Sequence, residues 1–168
     1  PLKGAGSLAQ AGAAAAFRSA RAIPGYSRPI MSAMSARDAV SLTRTLLGFD
    51  TINPPGRERD CARHAGKLLE EAGFSVEYHE YADTRTSVIA RIGGSDTKPP
   101  LCLTGHLDVV SLGTRPWTKD PFNGETDGDK LYGRGTSDMK SFIAVALALV
   151  PEFVTRGLKV PLHLACTY

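Results

Sequence analysis

The sequence predicts an α/β protein, with a mostly parallel sheet carrying helices on both faces. Three observations point there. Two early stretches, 35–49 and 57–73, space their apolar residues at helical intervals. Two alternating runs then follow as strands. Residues 101–168 finally read strand, long loop, helix, strand, which is the order of a βαβ unit with parallel strands and a right-handed crossover.

In chain order, "SARDAVSLTRTLLGF" sets Val40, Leu42, Leu46, Leu47 and Phe49 near one helical face. Two prolines and a glycine in "DTINPPGRERD" stop that helix, and Asn53 to Gly56 read as turn chemistry alone. "RERDCARHAGKLLEEAG" restarts a helix with Cys61, Ala65, Leu68, Leu69 and Ala72 inward and Gly73 as its C-terminal stop. "FSVEYHEY" and "TSVIARIGG" alternate as strands, and "SDTKPP" turns the chain into the strand "LCLTGHLDVV". A long loop, 111–138, leads to the helix "MKSFIAVALALVPEF" and the strand "LKVPLHLACTY". In this chain that last strand is expected at an exposed sheet edge, a template for aggregation.

The formal charge of +3 is unevenly spread. Residues 1–37 hold five bases (Lys3, Arg18, Arg21, Arg28, Arg37) and no acid, so the rest of the chain sets 15 bases against all 17 acids, a net of −2. The basic balance belongs to the Ala-, Gly- and Ser-rich beginning and argues against a nucleic-acid partner. Residues 1–34 read as a leader or disordered arm, either an organelle transit peptide or sequence upstream of a start at Met31 or Met34. Residues 35–168 read as the folded unit. No apolar run is long enough to span a membrane. Three scattered cysteines make no disulfide framework and no zinc knuckle, so a reducing, cytoplasmic setting is expected.

The chemistry gathers at the end of "LCLTGHLDVV". Ligands of open α/β sheets bind at the carboxyl ends of strands, where His106 and Asp108 lie. Residues two apart on a strand share a face, so the carboxylate can hold one ring nitrogen as N–H and leave the other for a metal. The competing reading is a surface His-x-Asp. Asp138 opens the later helix, where it, Ser137 or Thr136 can serve as a cap. The βαβ crossover brings that helix start back to the same edge, so His106, Asp108 and Asp138 can converge as donors for zinc, cobalt or manganese. His64, His79 and His163 lack a carboxylate at that spacing. Trp117 and Phe122 either shape the mouth of the site or anchor the loop. Arg134 either holds a substrate carboxylate or makes an ordinary salt bridge. Lys140 is a cation in the first helical turn, where the dipole disfavours it.

"TGHLDVV", the Trp117 to Phe122 segment "WTKDPF" and "DGDKLYGRGTSDMK" together resemble the M20 metallopeptidase superfamily, over roughly Arg37 to Tyr168. Within it, "YGRGTSDMKSFIAVALALVPEF" looks most like the acetylornithine deacetylase branch, near the succinyl-diaminopimelate desuccinylases. The resemblance implies a zinc-peptidase-like catalytic domain. It implies a two-metal centre, Zn2+ or Co2+, with His106 ligating one ion, Asp138 bridging both, and Asp108 orienting His106 and counted as catalytic. It implies hydrolysis of a small N-acyl amino acid by metal-activated water, and a homodimeric complete protein. A Glu-Glu pair carrying the general base, with later ligands, is expected beyond Tyr168. The chain is therefore expected to be an N-terminal piece, inactive by itself. A non-catalytic piece acting through binding is the alternative.

Overall fold

The computed structural model describes residues 38–94 and 97–168; the leader lies outside them. Helix α1 (Ala39–Leu47) begins where Asp38 takes the Ser41 amide at 2.8 Å, one of the donors a helix start leaves unpaired. Leu42, Leu46 and Leu47 are buried while Val40 is exposed, so the inward stripe is narrower than the spacing suggested. Helix α2 (Arg59–Glu71) buries Cys61, Ala65, Leu68 and Leu69 as expected. Gly73 stops it at φ 91°, a conformation that favours glycine.

Six strands follow: β1 (Ser75–Ala82), β2 (Arg85–Ile92), β3 (Leu101–His106), β4 (Glu125–Asp127), β5 (Lys130–Tyr132) and, after helix α3 (Lys140–Arg156), β6 (Leu162–Thr167). The main sheet has the order β1-β2-β6-β3. β3 and β6 pair in parallel around α3, so the βαβ unit is present. β1–β2 and β2–β6 are antiparallel. The α/β class stands, but the sheet is mixed rather than mostly parallel. The cause is the tight hairpin between β1 and β2, which forces those strands antiparallel, and the insertion of β2 beside β6 rather than beside β3.

The register explains the core. Val76, Val88, Ala90, Ile92, Leu103, Leu162, Leu164 and Cys166 alternate onto one sheet face and join residues of all three helices in a single apolar cluster. The described helices thus cover one face of the sheet, not both, because the strands direct their apolar sets to that side. On the other side Cys102 and Thr104 are exposed. β6 is interior, flanked by β2 and β3, and β1 and β3 are the edges. The aggregation expected of an exposed β6 therefore loses its basis. Burial pushes the Cys61 thiol up to about 11 and the Cys166 thiol up to about 12, which leaves both unreactive at neutral pH.

The long loop contains a small hairpin. β4 and β5 join through Gly128 and Asp129, with Gly128 at φ 59°. A two-residue Gly-Asp link between short alternating runs is a hairpin signal, and it stands in "ETDGDKLY".

Candidate metal centre

β3 ends at His106, but the chain stays extended to Val109. The segment after α1 runs alongside it: Asn53 N donates to Val109 O at 2.8 Å, Val109 N to Thr51 O at 3.0 Å, and the buried Thr51 hydroxyl to Leu107 O at 2.8 Å. Leu107 and Val109 are buried, which anchors the intervening Asp108. Opposite, α3 sits close to β3 because Gly105 has no side chain. A Cβ there would lie 3.0 Å from Met139 Cε and 3.3 Å from Ile143. Gly135, at φ 96°, brings the preceding loop against Val109.

The result is convergence. His106 Nδ1 lies 2.9 Å from Asp108 Oδ1, and Nε2 lies 3.0 Å from Asp138 Oδ1. Asp138 does not cap α3: the N-cap position is Met139 and no side-chain cap bond is made. Its side chain is 85 % exposed and spends its one described contact on the imidazole. Partial burial works against protonating His106. The Asp138 hydrogen bond, then the Asp108 carbonyl and carboxylate, outweigh it, and the imidazole pKa lies above its ordinary value.

These groups open into a cleft of about 200 Å³, bounded by His106, Asp108, Val110, Arg134 and Asp138. An imidazole nitrogen facing a carboxylate oxygen, with the second nitrogen backed by another carboxylate, is a donor set suited to zinc-like cations. His106 and Asp138 supply two donors. No group of three or more His, Cys, Asp or Glu side chains fit to hold a metal ion is found among the described residues.

Residues 102–168 match the profile of "Peptidase family M20/M25/M40". The chain is 38 % identical over 122 residues to a succinyl-diaminopimelate desuccinylase of Wolbachia sp. subsp. Brugia malayi, covering 70 % of this chain and 29 % of the relative. It is 34 % identical over 127 residues to the desuccinylase of Rhodospirillum centenum, covering 73 % and 32 %. The chain thus spans about a third or less of these relatives. The fold is shared with an M20 family metallo-carboxypeptidase from Sulfolobus solfataricus (TM-score 0.66, 21 % identity, 77 % of this chain and 30 % of that one). It is shared also with human carnosine dipeptidase 1 (TM-score 0.62, 22 % identity, 77 % and 31 %).

Three other residues differ from their sequence reading. Asn53 is more than a turn residue: its Nδ2 donates to Asp108 Oδ2 at 3.0 Å, so it fixes the carboxylate that backs His106. An Asn before two prolines gives no hint of a partner 55 residues later. Lys140 is fully buried, and its Nζ donates to Leu46 O at 2.9 Å and Phe49 O at 3.0 Å. It stands at the beginning of its own helix but serves the carboxyl end of α1, where a cation is favoured. Burial pushes its pKa down. Arg134 makes no salt bridge among the described residues. It lies 5.2 Å above the Trp117 ring and gives one hydrogen bond, Nη2 to Ser111 O at 3.0 Å. Trp117 is 39 % exposed and donates Nε1 to Leu112 O at 3.1 Å, so it holds the loop and borders Arg134 at once.

Proposed function

We propose that the full-length protein is a metal-dependent amidohydrolase that cleaves the acyl–nitrogen bond of a small N-acyl amino acid. The observation that carries the reading is the single imidazole held between Asp108 and Asp138 at the mouth of one cleft. His106 Nε2 and Asp138 are the ligands this chain offers. Asp108, fixed by Asn53, sets the imidazole tautomer so that Nε2 presents its lone pair. A bound divalent cation supplies Lewis acidity toward an acyl carbonyl and toward water. Among the described residues no glutamate borders the cleft, so a general base from elsewhere in the protein completes the reaction. With two donors, residues 1–168 alone are expected to bind zinc weakly and without a tight second site.

The deacetylase branch suggested by "YGRGTSDMK" and the desuccinylase names of the relatives differ in the acyl group. The 34–38 % identity to desuccinylases favours an acyl group that ends in a carboxylate. The test is hydrolysis of N-acetyl and N-succinyl amino acids by the full-length protein before and after chelation. Activity should vanish with chelator, return with zinc or cobalt, and be lost in His106→Ala. Full turnover after thorough chelation, or in His106→Ala, sinks the reading.

A further inference from the structure

We propose that Arg134, stacked on Trp117, is a carboxylate-binding subsite of the same cleft and selects substrates carrying a carboxylate. This rests on the reading of the cleft as an acyl-amino-acid site and names what holds the charged part of that substrate.

The case begins with an unmet need. A guanidinium has five N–H donors in a rigid plane. Arg134 uses one of them, on Ser111 O, and its Nε is buried with no partner. Buried donors in folded proteins are nearly always satisfied, and no carboxylate among the described residues lies within salt-bridge reach of this one. Two other arginines of the chain are paired. Arg85 is paired with Glu58 at 3.0 Å and Arg57 with Asp50 at 2.6 Å.

The second point is preparation. The Trp117 face lies under the guanidinium at 5.2 Å, and the indole is itself tied to Leu112 O. Stacking and the Ser111 bond together fix the fork before a ligand arrives, which lowers the ordering cost of binding. The third point is place. Arg134 borders the cleft that His106, Asp108 and Asp138 open into, with Val110, 63 % exposed, as an apolar wall. A planar fork matches a carboxylate bidentately. A substrate whose scissile amide faces His106 and Asp138 can then rest methylenes on Val110 and its carboxylate on Arg134. That carboxylate belongs either to the acyl half or to the amino-acid half.

Trp117 is the one tryptophan of the 168-residue chain, so its fluorescence reports on the stacked guanidinium. Succinate, titrated into this chain at constant ionic strength, should change the emission saturably, and succinamide should not. Arg134→Gln should abolish the saturable change and Arg134→Lys should weaken it. In the full-length protein, Arg134→Gln should raise KM by about 10–100-fold for whichever probe bears the relevant carboxylate, a loss in the range of one charge-assisted hydrogen-bond pair. An N-succinyl amine reports the acyl half, and an N-acetyl amino acid reports the amino-acid half. A residue that merely ties the loop to Ser111 would lower the midpoint of urea unfolding and leave KM unchanged. The proposal is overturned if succinate and succinamide act alike, or if Arg134→Gln leaves both KM values where they were. Arg134-dependent binding without any hydrolysis would keep the subsite and remove the hydrolase reading. Hydrolysis indifferent to Arg134 would do the reverse.

Discussion

Asp138 and Lys140 stand two residues apart on one turn, and their surroundings could hardly differ more. The Asp138 side chain is 85 % exposed and, among the described residues, pairs with an imidazole. Lys140 is fully buried and closes the carboxyl end of α1 with two hydrogen bonds. Both are charged, and both would be marked as candidates by residue type alone. The contrast shows that a charge is available for chemistry when the fold leaves part of its coordination open. Lys140 has spent its charge on Leu46 O and Phe49 O, and in doing so it pins α3 to α1 beneath the cleft. Asp138 has one partner among the described residues and a largely exposed carboxylate. Glu58, fully buried against Arg85 at 3.0 Å, belongs with Lys140: a buried charge whose partner is already fixed.

The largest expected effect breaks this comparison if it fails. Lys140→Ala removes the donor from two carbonyls and leaves a cavity, and should cost about 2–4 kcal/mol in urea unfolding. Lys140→Met keeps most of the volume and isolates the lost hydrogen bonds, at about 1–3 kcal/mol. Asp138→Asn should change stability by no more than about 0.5 kcal/mol, as exposed substitutions usually do. Equal costs at the two positions would mean that Asp138 is a structural residue after all.

What the sequence made legible follows the same division. His106, Asp108 and Asp138 were readable because their meeting depends on local spacing and on one topological rule, the return of a βαβ crossover to the edge it left. The helices were readable because apolar pairs such as Leu42 and Leu46, Ala65 and Leu69, and Ile143 and Leu147 repeat at helical intervals. The neighbours of β2 were not, since pairing Ala90 with Leu164 joins segments whose apolar patterns are compatible with several sheet orders. The partners of Lys140 were not legible for a similar reason. A window on its own helix shows an unfavourable dipole, while the favourable one belongs to α1, more than 90 residues earlier. Asn53 was missed because side-chain amides carry no periodicity that marks them.

Asn53 supplies the next test. It is part-buried and polar, intermediate between the two extremes, and its side chain acts on the site through Asp108. Asn53→Ala should weaken zinc affinity by about 10-fold, the low end for an outer-sphere partner of a ligand. Lys140→Met should leave that affinity unchanged in the folded chain. Calorimetric zinc titrations of the two variants side by side would check this. The same loss in both would erase the boundary between the open edge and the closed core.

The smallest effect concerns pH. His106 binds its proton more tightly in the folded chain than an ordinary imidazole does, since its pKa is raised above 6.5. A base whose folded value is raised stabilises the fold fully below its unfolded value, and this contribution fades as pH climbs through the folded value. Stability should therefore fall slightly as pH rises from 6.5 through the neutral range. With the His106 side chain 36 % exposed and Asp138 nearly free in solvent, screening keeps the change under about 1 kcal/mol. Asp138→Asn should bring the folded value down toward 6.5 and shrink the step, because the strongest of the groups favouring the proton is then neutral. A divalent cation needs the unprotonated Nε2, so zinc affinity should rise across the same interval in which stability declines. Ring-proton NMR titration of His106, with and without zinc, reads both. A folded value at or below 6.5 would show that burial, not Asp138, governs this imidazole, and would place His106 with Lys140 on the closed side of the turn.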